Sequence, residues 1–218
     1  YIDGIRVVRV KSYITGNAGF ARRILDYVSF MVSAVFFGIF EKRPDVIIGT
    51  SPQFFAALGA WKLSIFKWRP FVFELRDLWP ASIVTVGAMK KGPVIRLLEQ
   101  LELFLYRRAA AIISVTNSFK DDLVRRGIDG KRIHVVRNGV DLTRYQPRPC
   151  DEAMAERLGV AGKFVVGYVG THGMAHALEN VLYTAKQLEE HDNIRFLLVG
   201  DGARKANLVQ EASALGVG

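Results

Sequence analysis

The sequence predicts an α/β fold in which the strands of parallel sheets alternate with helices. Short apolar runs rich in β-branched and aromatic residues recur along the chain, and a helix-like segment follows each of them. The runs are apolar at successive positions, which predicts strands covered by helices on both faces of the sheet. Half of the 218 residues are hydrophobic, so the chain has enough apolar material for a sizeable core.

Five of the predicted strands lie in the first two thirds of the chain. They are IRVVRV (5–10), DVIIG (45–49), PFVFEL (70–75), AAIISV (110–115) and RIHVV (132–136).

The apolar run YVSFMVSAVFFGIF at 27–40 is the longest in the chain, with 14 positions. A segment that spans a bilayer needs roughly 18 to 20 apolar residues, so this run is too short to do so. Charged residues flank it on both sides. It is therefore predicted to be a core helix, and the alternative is a helix that also rests on a membrane surface.

Two more helices are predicted in this part of the chain. Residues 93–108 show apolar positions along one helical face, and Pro93 suits a first helical turn. The next helix is expected to begin near Ser118, with Asp121 completing a capping box, and to stop at Gly127.

A linker divides the chain into two predicted domains. The segment LTRYQPRPCDE contains Pro147 and Pro149, a composition typical of linkers. We therefore predict domains at 1–148 and 149–218. The second holds strands at 163–170 and 194–200, a helix from about Ala175 to Glu190, and a last helix from about Ala203.

Charge and cysteine content restrict the partners and the compartment. The chain has 30 Lys and Arg against 21 Asp and Glu, and the formal charge of +9 favours an anionic partner. The basic residues are scattered and no aromatic stacking motif accompanies them, which argues against nucleic acid. Cys150 is the single cysteine, which fits a reducing cytoplasm.

Because the chain begins with Tyr1 and stops after a helix-like segment, we expect it to be a fragment.

Polar residues follow the predicted strands of the first domain. In open parallel sheets, ligands bind at the carboxyl ends of the strands. Glu74, Arg76 and Asp77 follow one strand, where a carboxylate can accept a hydrogen bond from a substrate hydroxyl and a guanidinium can hold phosphate or sugar oxygens. The alternative is a structural pair between Arg76 and Asp77. The candidates in the other strand-end turns are Thr50, Ser51 and Asn138, although such residues are also ordinary helix caps and turn formers.

Two glycine-containing turns follow the strands of the second domain. GTHG at 170–173 precedes a predicted helix, and backbone amides at such a turn suit a phosphate. GDGAR at 200–204 places glycines beside an arginine. Neither turn matches a dinucleotide fingerprint or a P-loop.

The two histidines of GTHGMAH have a spacing that occurs in zinc sites. His172 and His176 are four positions apart, but His172 precedes the helix and position 173 is glycine rather than the glutamate of an HExxH motif. A phosphate contact from His172 is therefore favoured over a metal site, with packing or solvent exposure as the alternative.

Six segments in this order resemble the GT4 family of glycosyltransferases, which has the GT-B fold. They are PDVIIGTSP, FELRDLWPAS, VTNSFKDDL, VVRNGVDLTRYQP, GYVGTHGMAHALENVL and FLLVGDGARK. The resemblance covers essentially the whole chain and is closest to the bacterial branch that transfers sugars, including fucosamine-type amino sugars, in O-antigen and capsule synthesis.

The resemblance implies two Rossmann-like domains, an acceptor-binding domain at 1–148 and the first part of a nucleotide-sugar-binding domain at 149–218. It implies retaining transfer from a nucleoside-diphosphate sugar to a hydroxyl of a polyprenyl-diphosphate-linked saccharide, with no cofactor and no catalytic metal. The expected location is cytoplasmic, including peripheral attachment to an anionic membrane surface at the inner face of the plasma membrane. The resulting role assignments make Asp77 and Arg76 catalytic, and Thr50, Ser51 and Glu74 acceptor-binding. The donor-binding set is Asn138, Gly170, Thr171, His172, Gly173, His176, Gly200, Gly202 and Arg204.

Two departures from the family pattern stand out. Thr171 and His176 occupy positions where many members carry an Arg and a Lys that bind the donor diphosphate, and Arg76 stands where many carry His. The family's glutamate pair ExxxxxxxE is expected beyond Gly218, so the fragment itself is expected to be inactive. The alternatives to a transferase are a GT-B nucleotide-sugar epimerase and a non-catalytic nucleotide-sugar or membrane-binding module.

Overall fold

The computed structural model of the chain describes residues 1–14, 20–79 and 92–218, so Pro80 and the two residues after it in the FELRDLWPAS segment lie outside the described residues. The described residues form two compact units, unit 1 at Tyr1–Gly139 and unit 2 at Val140–Gly218.

Unit 1 contains one parallel sheet of four strands in the order β1-β2-β3-β4. This confirms the predicted α/β class with parallel strands. Its elements are α1 (Phe20–Phe40), β1 (Ile47–Thr50), α2 (Phe54–Lys67), β2 (Phe71–Leu75), α3 (Pro93–Arg108), β3 (Ala111–Ser114), α4 (Asn117–Arg125) and β4 (Ile133–Val135).

The core of unit 1 lies on one face of this sheet, where α2, α3 and α4 pack. Phe73, Leu75 and Ile112 of the strands are buried there against Leu105 and Leu123 of the helices. Strands that follow one another in a single direction, joined by right-handed crossovers, place all the connecting helices on the same face. The expectation of a sheet covered on both faces is therefore wrong for the described residues.

The first predicted strand, IRVVRV, is not a strand in the structure. Ile2 and Ile5 form an isolated antiparallel bridge, and residues 6–14 contain no helix or strand. Val7 and Val8 are about half exposed. A strand needs a neighbour to satisfy its backbone groups, and no described strand pairs with this segment.

The apolar run at 27–40 lies in α1, which packs along α2. Met31 is buried, whereas Phe36, Phe37 and Phe40 are 57%, 49% and 75% exposed. The run therefore belongs only partly to the core. Of the described helices, α1 included, none combines the length and the apolar character that crossing a bilayer requires.

The ends of α1 and α2 cap each other. Lys67 Nζ donates to the carbonyl oxygens of Ile39 and Glu41 at the end of α1. Arg43 donates from Nε to Lys67 O at 2.8 Å and from Nη2 to Trp68 O at 3.3 Å, at the end of α2. Cationic side chains thus satisfy carbonyl groups that the ends of both helices leave without intrahelical partners.

A buried carboxylate joins α3 to the end of α4. Glu102 accepts a hydrogen bond from the Tyr106 hydroxyl at 2.7 Å and one from Arg126 Nη2 at 2.6 Å. Burial raises the pKa of Glu102, although both partners favour its charged form. The Glu102 carboxylate therefore holds α3 and the end of α4 together.

Helix α4 begins one residue earlier than predicted. Its cap is Thr116, whose hydroxyl accepts from Phe119 N at 3.1 Å, whereas the predicted start was near Ser118.

Unit 2 contains two parallel strands, β5 and β6, in register along their whole length. The segment between β4 and the first helix of unit 2 has no helix or strand, and the predicted boundary after residue 148 falls within it. The elements of unit 2 are α5 (Glu152–Arg157), β5 (Phe164–Val169), α6 (Glu179–Gln187), β6 (Ile194–Val199) and α7 (Lys205–Leu215).

Helix α6 begins later than predicted. Met174–His176 form a short 3₁₀ turn, and Ala177 has a left-handed conformation with φ of 46°. That conformation ends the turn before Glu179 starts the α-helix. Ala175 and His176 therefore precede the helix.

Candidate active site

Ser51 organises the carboxyl end of the sheet in unit 1. Its side chain is buried directly after β1. The hydroxyl accepts hydrogen bonds from Arg76 N at 2.9 Å and Asp77 N at 3.2 Å, and lies 3.2 Å from Asp77 O, to which it donates. One hydroxyl thus fixes the backbone that carries the two predicted catalytic side chains.

This geometry corrects the role predicted for Ser51. A buried hydroxyl that already bonds three backbone groups has no capacity left for an acceptor sugar. Ser51 is therefore a positioning residue. Thr50 is exposed beside it and donates to Ser51 O at 3.1 Å, and Glu74 is half-buried on β2. Contact of either side chain with an acceptor stays a prediction.

Replacing Ser51 with Ala is expected to lower the free energy of unfolding of unit 1 by about 1 to 3 kcal/mol, because two backbone amides lose their partner. Urea unfolding followed by tryptophan fluorescence measures this, since all three tryptophans, Trp61, Trp68 and Trp79, lie in unit 1. The matched control is Thr50→Ala, which removes an exposed hydroxyl and should change the value by less than about 0.5 kcal/mol. Equal losses in the two variants would contradict the positioning role.

Arg76 and Asn138 come together at the same edge of the sheet. Arg76 Nη2 donates to Asn138 Oδ1 at 3.5 Å, so the RDLWP and RNGVD segments meet there. Both side chains are exposed, and the Asp77 side chain is half-buried. No hydrogen bond or ion pair joins the side chains of Arg76 and Asp77 within the described ranges. The structure thus offers a guanidinium, an amide and a carboxylate at one strand edge.

The two glycine-containing turns of unit 2 interlock at the carboxyl ends of β5 and β6. His172 N donates to Asp201 O at 2.8 Å, and Arg204 N donates to His172 O at 2.9 Å. A Cβ added at Gly200 would lie 1.8 Å from Gly170 O, and one added at Gly202 would lie 2.6 Å from His172 O. Glycine is thus required at both positions because the two backbones approach so closely.

The imidazole of His172 is enclosed between these turns without a hydrogen-bond partner. Its side chain is 5% exposed, and neither Nδ1 nor Nε2 bonds any group in the described part of the chain. The Tyr168 ring lies 6.2 Å away, centroid to centroid, and its hydroxyl donates to Thr171 O at 2.9 Å. Buried polar groups are nearly always hydrogen-bonded, so an unpartnered one calls for a ligand or another functional explanation.

Arg204 does not face the turn as an unpaired cation. Its Nε donates to Glu179 Oε1 at 2.8 Å, and its Nη2 contacts the same oxygen. The pKa of Glu179 is lowered, first by its own backbone amide and then by Arg204. The guanidinium thus joins the start of α6 to the start of α7, and its predicted contact with the donor stays a prediction. The nearby cation that the sequence reasoning missed is Lys205, whose Nζ donates to Gly200 O at 3.0 Å.

The other predicted donor residues surround this turn. Thr171 and His176 are exposed, and the His176 ring lies 5.9 Å from that of Tyr168. Gly170 N donates to Val199 O at 2.9 Å, and Gly173 precedes the 3₁₀ turn. Over the ranges 1–14, 20–79 and 92–218, no three His, Cys, Asp or Glu side chains converge in the manner of metal ligands.

Comparison with known proteins identifies the family. The model of Glycosyltransferase Family 4 matches residues 3–144. A D-inositol 3-phosphate glycosyltransferase of Rhodococcus opacus is 37% identical over 116 residues, which are 49% of this chain and 26% of that protein. The chain therefore spans about a quarter of the length of this curated relative.

Solved structures share the fold. The crystal structure of HepE from Anabaena in complex with UDP-glucose has a TM-score of 0.65 at 19% identity, with 91% of this chain and 51% of that chain covered. A putative UDP-N-acetylglucosamine 2-epimerase of Listeria monocytogenes has a TM-score of 0.58 at 12% identity, with 95% and 52% covered. These likenesses and the parallel sheets of both units agree with the GT-B fold. Since the family model matches well over half of its residues, the chain belongs to Glycosyltransferase Family 4.

Proposed function

We propose that the full-length protein is a retaining glycosyltransferase that moves a sugar from a nucleoside-diphosphate sugar to a hydroxyl of a lipid-linked or saccharide acceptor. The observation that carries the proposal is the buried imidazole of His172, enclosed by two interlocked strand-end turns and without a hydrogen-bond partner in the described chain. Backbone amides and an imidazole at such a turn suit the phosphates of a nucleotide. HepE, which shares the fold, is seen with UDP-glucose.

In this proposal the two units have different roles. The His172 imidazole and the backbone amides of Thr171 and Gly173 stabilise the departing diphosphate as negative charge develops on it. The amides of Gly170 and His172 already donate to backbone carbonyl oxygens and have no such role. Asp77 orients the acceptor hydroxyl and accepts a hydrogen bond from it, while Arg76 holds acceptor oxygens. Ser51 keeps the backbone of both residues in place.

The finer assignment follows the sequence resemblance. The acceptor is a polyprenyl-diphosphate-linked saccharide at the inner face of the plasma membrane, and the product enters O-antigen or capsule synthesis. The net charge of +9 supports an anionic partner of this kind. The transferred sugar is a hexose or an amino sugar, a class that includes the fucosamine type.

Product analysis tests the proposal. Full-length protein is incubated with a UDP-sugar alone and with the same donor plus a polyprenyl-diphosphate-linked saccharide. A transferase releases UDP and extends the saccharide only in the second mixture. The likeness to a putative UDP-N-acetylglucosamine 2-epimerase favours one alternative, an epimerase, which would change the sugar in the first mixture and leave it on the nucleotide.

The variant His172→Phe sharpens this assay, because it removes both ring nitrogens while a ring of similar size fills the space. Transfer and UDP binding are expected to fall by tenfold or more, in line with the loss of about one charge-assisted hydrogen bond. His191→Phe, at an exposed position outside the turns, is the matched control and should leave both unchanged. Full activity in His172→Phe would exclude the diphosphate role.

A further inference from the structure

A cavity lies at the edge of the sheet in unit 1 where β2 and β3 begin, opposite the edge that carries Ser51 and Asp77. Its volume is about 620 Å³. Trp61, Trp68, Arg69, Arg108 and Arg132 are among its lining residues, and we call it the arginine cavity. The five residues of β2 span about 17 Å, so the cavity is well separated from Ser51 and Asp77 at the carboxyl edge.

The arginine cavity concentrates positive charge. Arg69 precedes β2, Arg108 ends α3 and Arg132 precedes β4, so arginines from three separate segments line the same cavity. The lining contains no Asp or Glu. Within the described chain none of the three forms an ion pair. Uncompensated guanidinium groups in a concave site attract and hold phosphate oxygens.

Local contacts hold these arginines in place before any ligand arrives. Arg132 Nη2 donates to Arg107 O at 3.2 Å, and Arg108 Cζ lies 5.3 Å from the centre of the Phe104 ring. Arg69 Nε is buried and has no hydrogen-bond partner among the described residues. A buried donor without a partner is rare and costly. An acceptor bound in the arginine cavity would satisfy this donor.

An apolar groove of about 590 Å³ between α1 and α2 adjoins the arginine cavity. Trp61 and Ile65 line both, so the two form one continuous surface. Phe36 and Phe66 on the walls of this α1–α2 groove are 57% and 61% exposed. Trp68, at the arginine cavity, is 84% exposed. Tryptophan favours the boundary between water and the apolar part of a bilayer.

We propose that the arginine cavity binds the phosphate headgroup of an anionic phospholipid, while the α1–α2 groove contacts the acyl region of the bilayer. A soluble anion would use the guanidinium groups alone, whereas the continuous apolar surface matches a phosphate that carries a chain. This inference rests on one part of the proposed function, namely that the protein has a membrane partner. It adds the place on the chain where that membrane binds. It does not depend on the transfer reaction.

Vesicle co-sedimentation of the 218-residue chain tests the site. The chain is expected to bind vesicles of phosphatidylcholine mixed with phosphatidylglycerol, and not vesicles of phosphatidylcholine alone. The double variant Arg108→Gln and Arg132→Gln should weaken binding about tenfold or more. The double variant Arg148→Gln and Arg157→Gln removes the same charge from exposed positions in unit 2 and should weaken it less than threefold, a bound that allows for general charge effects. Equal losses in the two double variants overturn the proposal.

Two further measurements separate the lipid from a free phosphate and from misfolding. Anionic vesicles should shift the tryptophan emission of the unaltered chain to shorter wavelength, and Trp68→Phe should reduce this shift. Sodium phosphate and glycerol phosphate should displace vesicles only weakly. Tight binding of either soluble anion without vesicle binding overturns the lipid assignment, and so does an unchanged emission spectrum. Because neither readout uses nucleotide or transfer, failure here leaves the proposed function standing.

Discussion

Replacing Asp77 with Asn in the full-length protein is expected to lower the transfer rate about 10² to 10⁴-fold. Asparagine keeps the size of the side chain but cannot take up a proton from the acceptor hydroxyl, and a positioned general base contributes about that factor. The backbone at Asp77 is already fixed by Ser51, so the substitution changes the chemistry and leaves the placement intact. Steady-state rates with a UDP-sugar and a lipid-linked saccharide measure the effect.

Asp121→Asn is the matched control for this variant. Asp121 is an exposed carboxylate on α4, and it is expected to keep the full rate when altered. We also expect Asp77→Asn to lower kcat more than it raises KM. The reason is that the carboxylate and the acceptor hydroxyl share a proton chiefly in the transition state. Unchanged transfer in Asp77→Asn would remove Asp77 from the mechanism.

Replacing Gly200 with Ala is expected to destabilise unit 2 by about 3 kcal/mol or more. The added Cβ would lie 1.8 Å from the carbonyl oxygen of Gly170, so one of the two backbones must move. Forcing atoms into a close-packed contact of this kind costs several kcal/mol. The movement would also separate the turns that enclose His172. Amide hydrogen exchange of β5 and β6 measures the loss.

Gly167→Ala provides the control, because a Cβ at Gly167 would meet no atom within 4 Å. Its exchange rates should stay close to those of the unaltered chain. Tryptophan fluorescence supplies an internal check, since it reports on unit 1 and should not change in either variant. Protected strands in Gly200→Ala would show that the turns tolerate separation and that the close approach is unimportant.

The sequence predicts local structure well where the apolar pattern of a segment agrees with the Pro, Gly and capping residues at its ends. The predicted helix at 93–108 matches α3 in both bounds, and six of the seven predicted strands occur near their expected positions. The exception, IRVVRV, has the composition of a strand but no pairing partner among the described residues. Composition reports the preference of a segment, whereas a strand also requires a neighbour that lies far away in the sequence.

The sequence predicts where the candidate site lies better than it predicts the role of each residue in the site. That polar residues gather at the carboxyl ends of strands follows from parallel topology. The separate tasks of Ser51 and Arg204 depend on distant partners, the backbone at Arg76 and the carboxylate of Glu179. No spacing rule connects residues so far apart in the chain. The arginine cavity was missed for the same reason, since each of its three arginines belongs to a different segment.

The mutual capping of α1 and α2 makes the ends of the two helices a single cooperative unit. Lys67 belongs to α2 but completes α1, and Arg43 follows α1 but completes α2. Fraying of the last turn of α2 would displace Lys67 and remove the cap of α1, so we expect the ends of the two helices to open together.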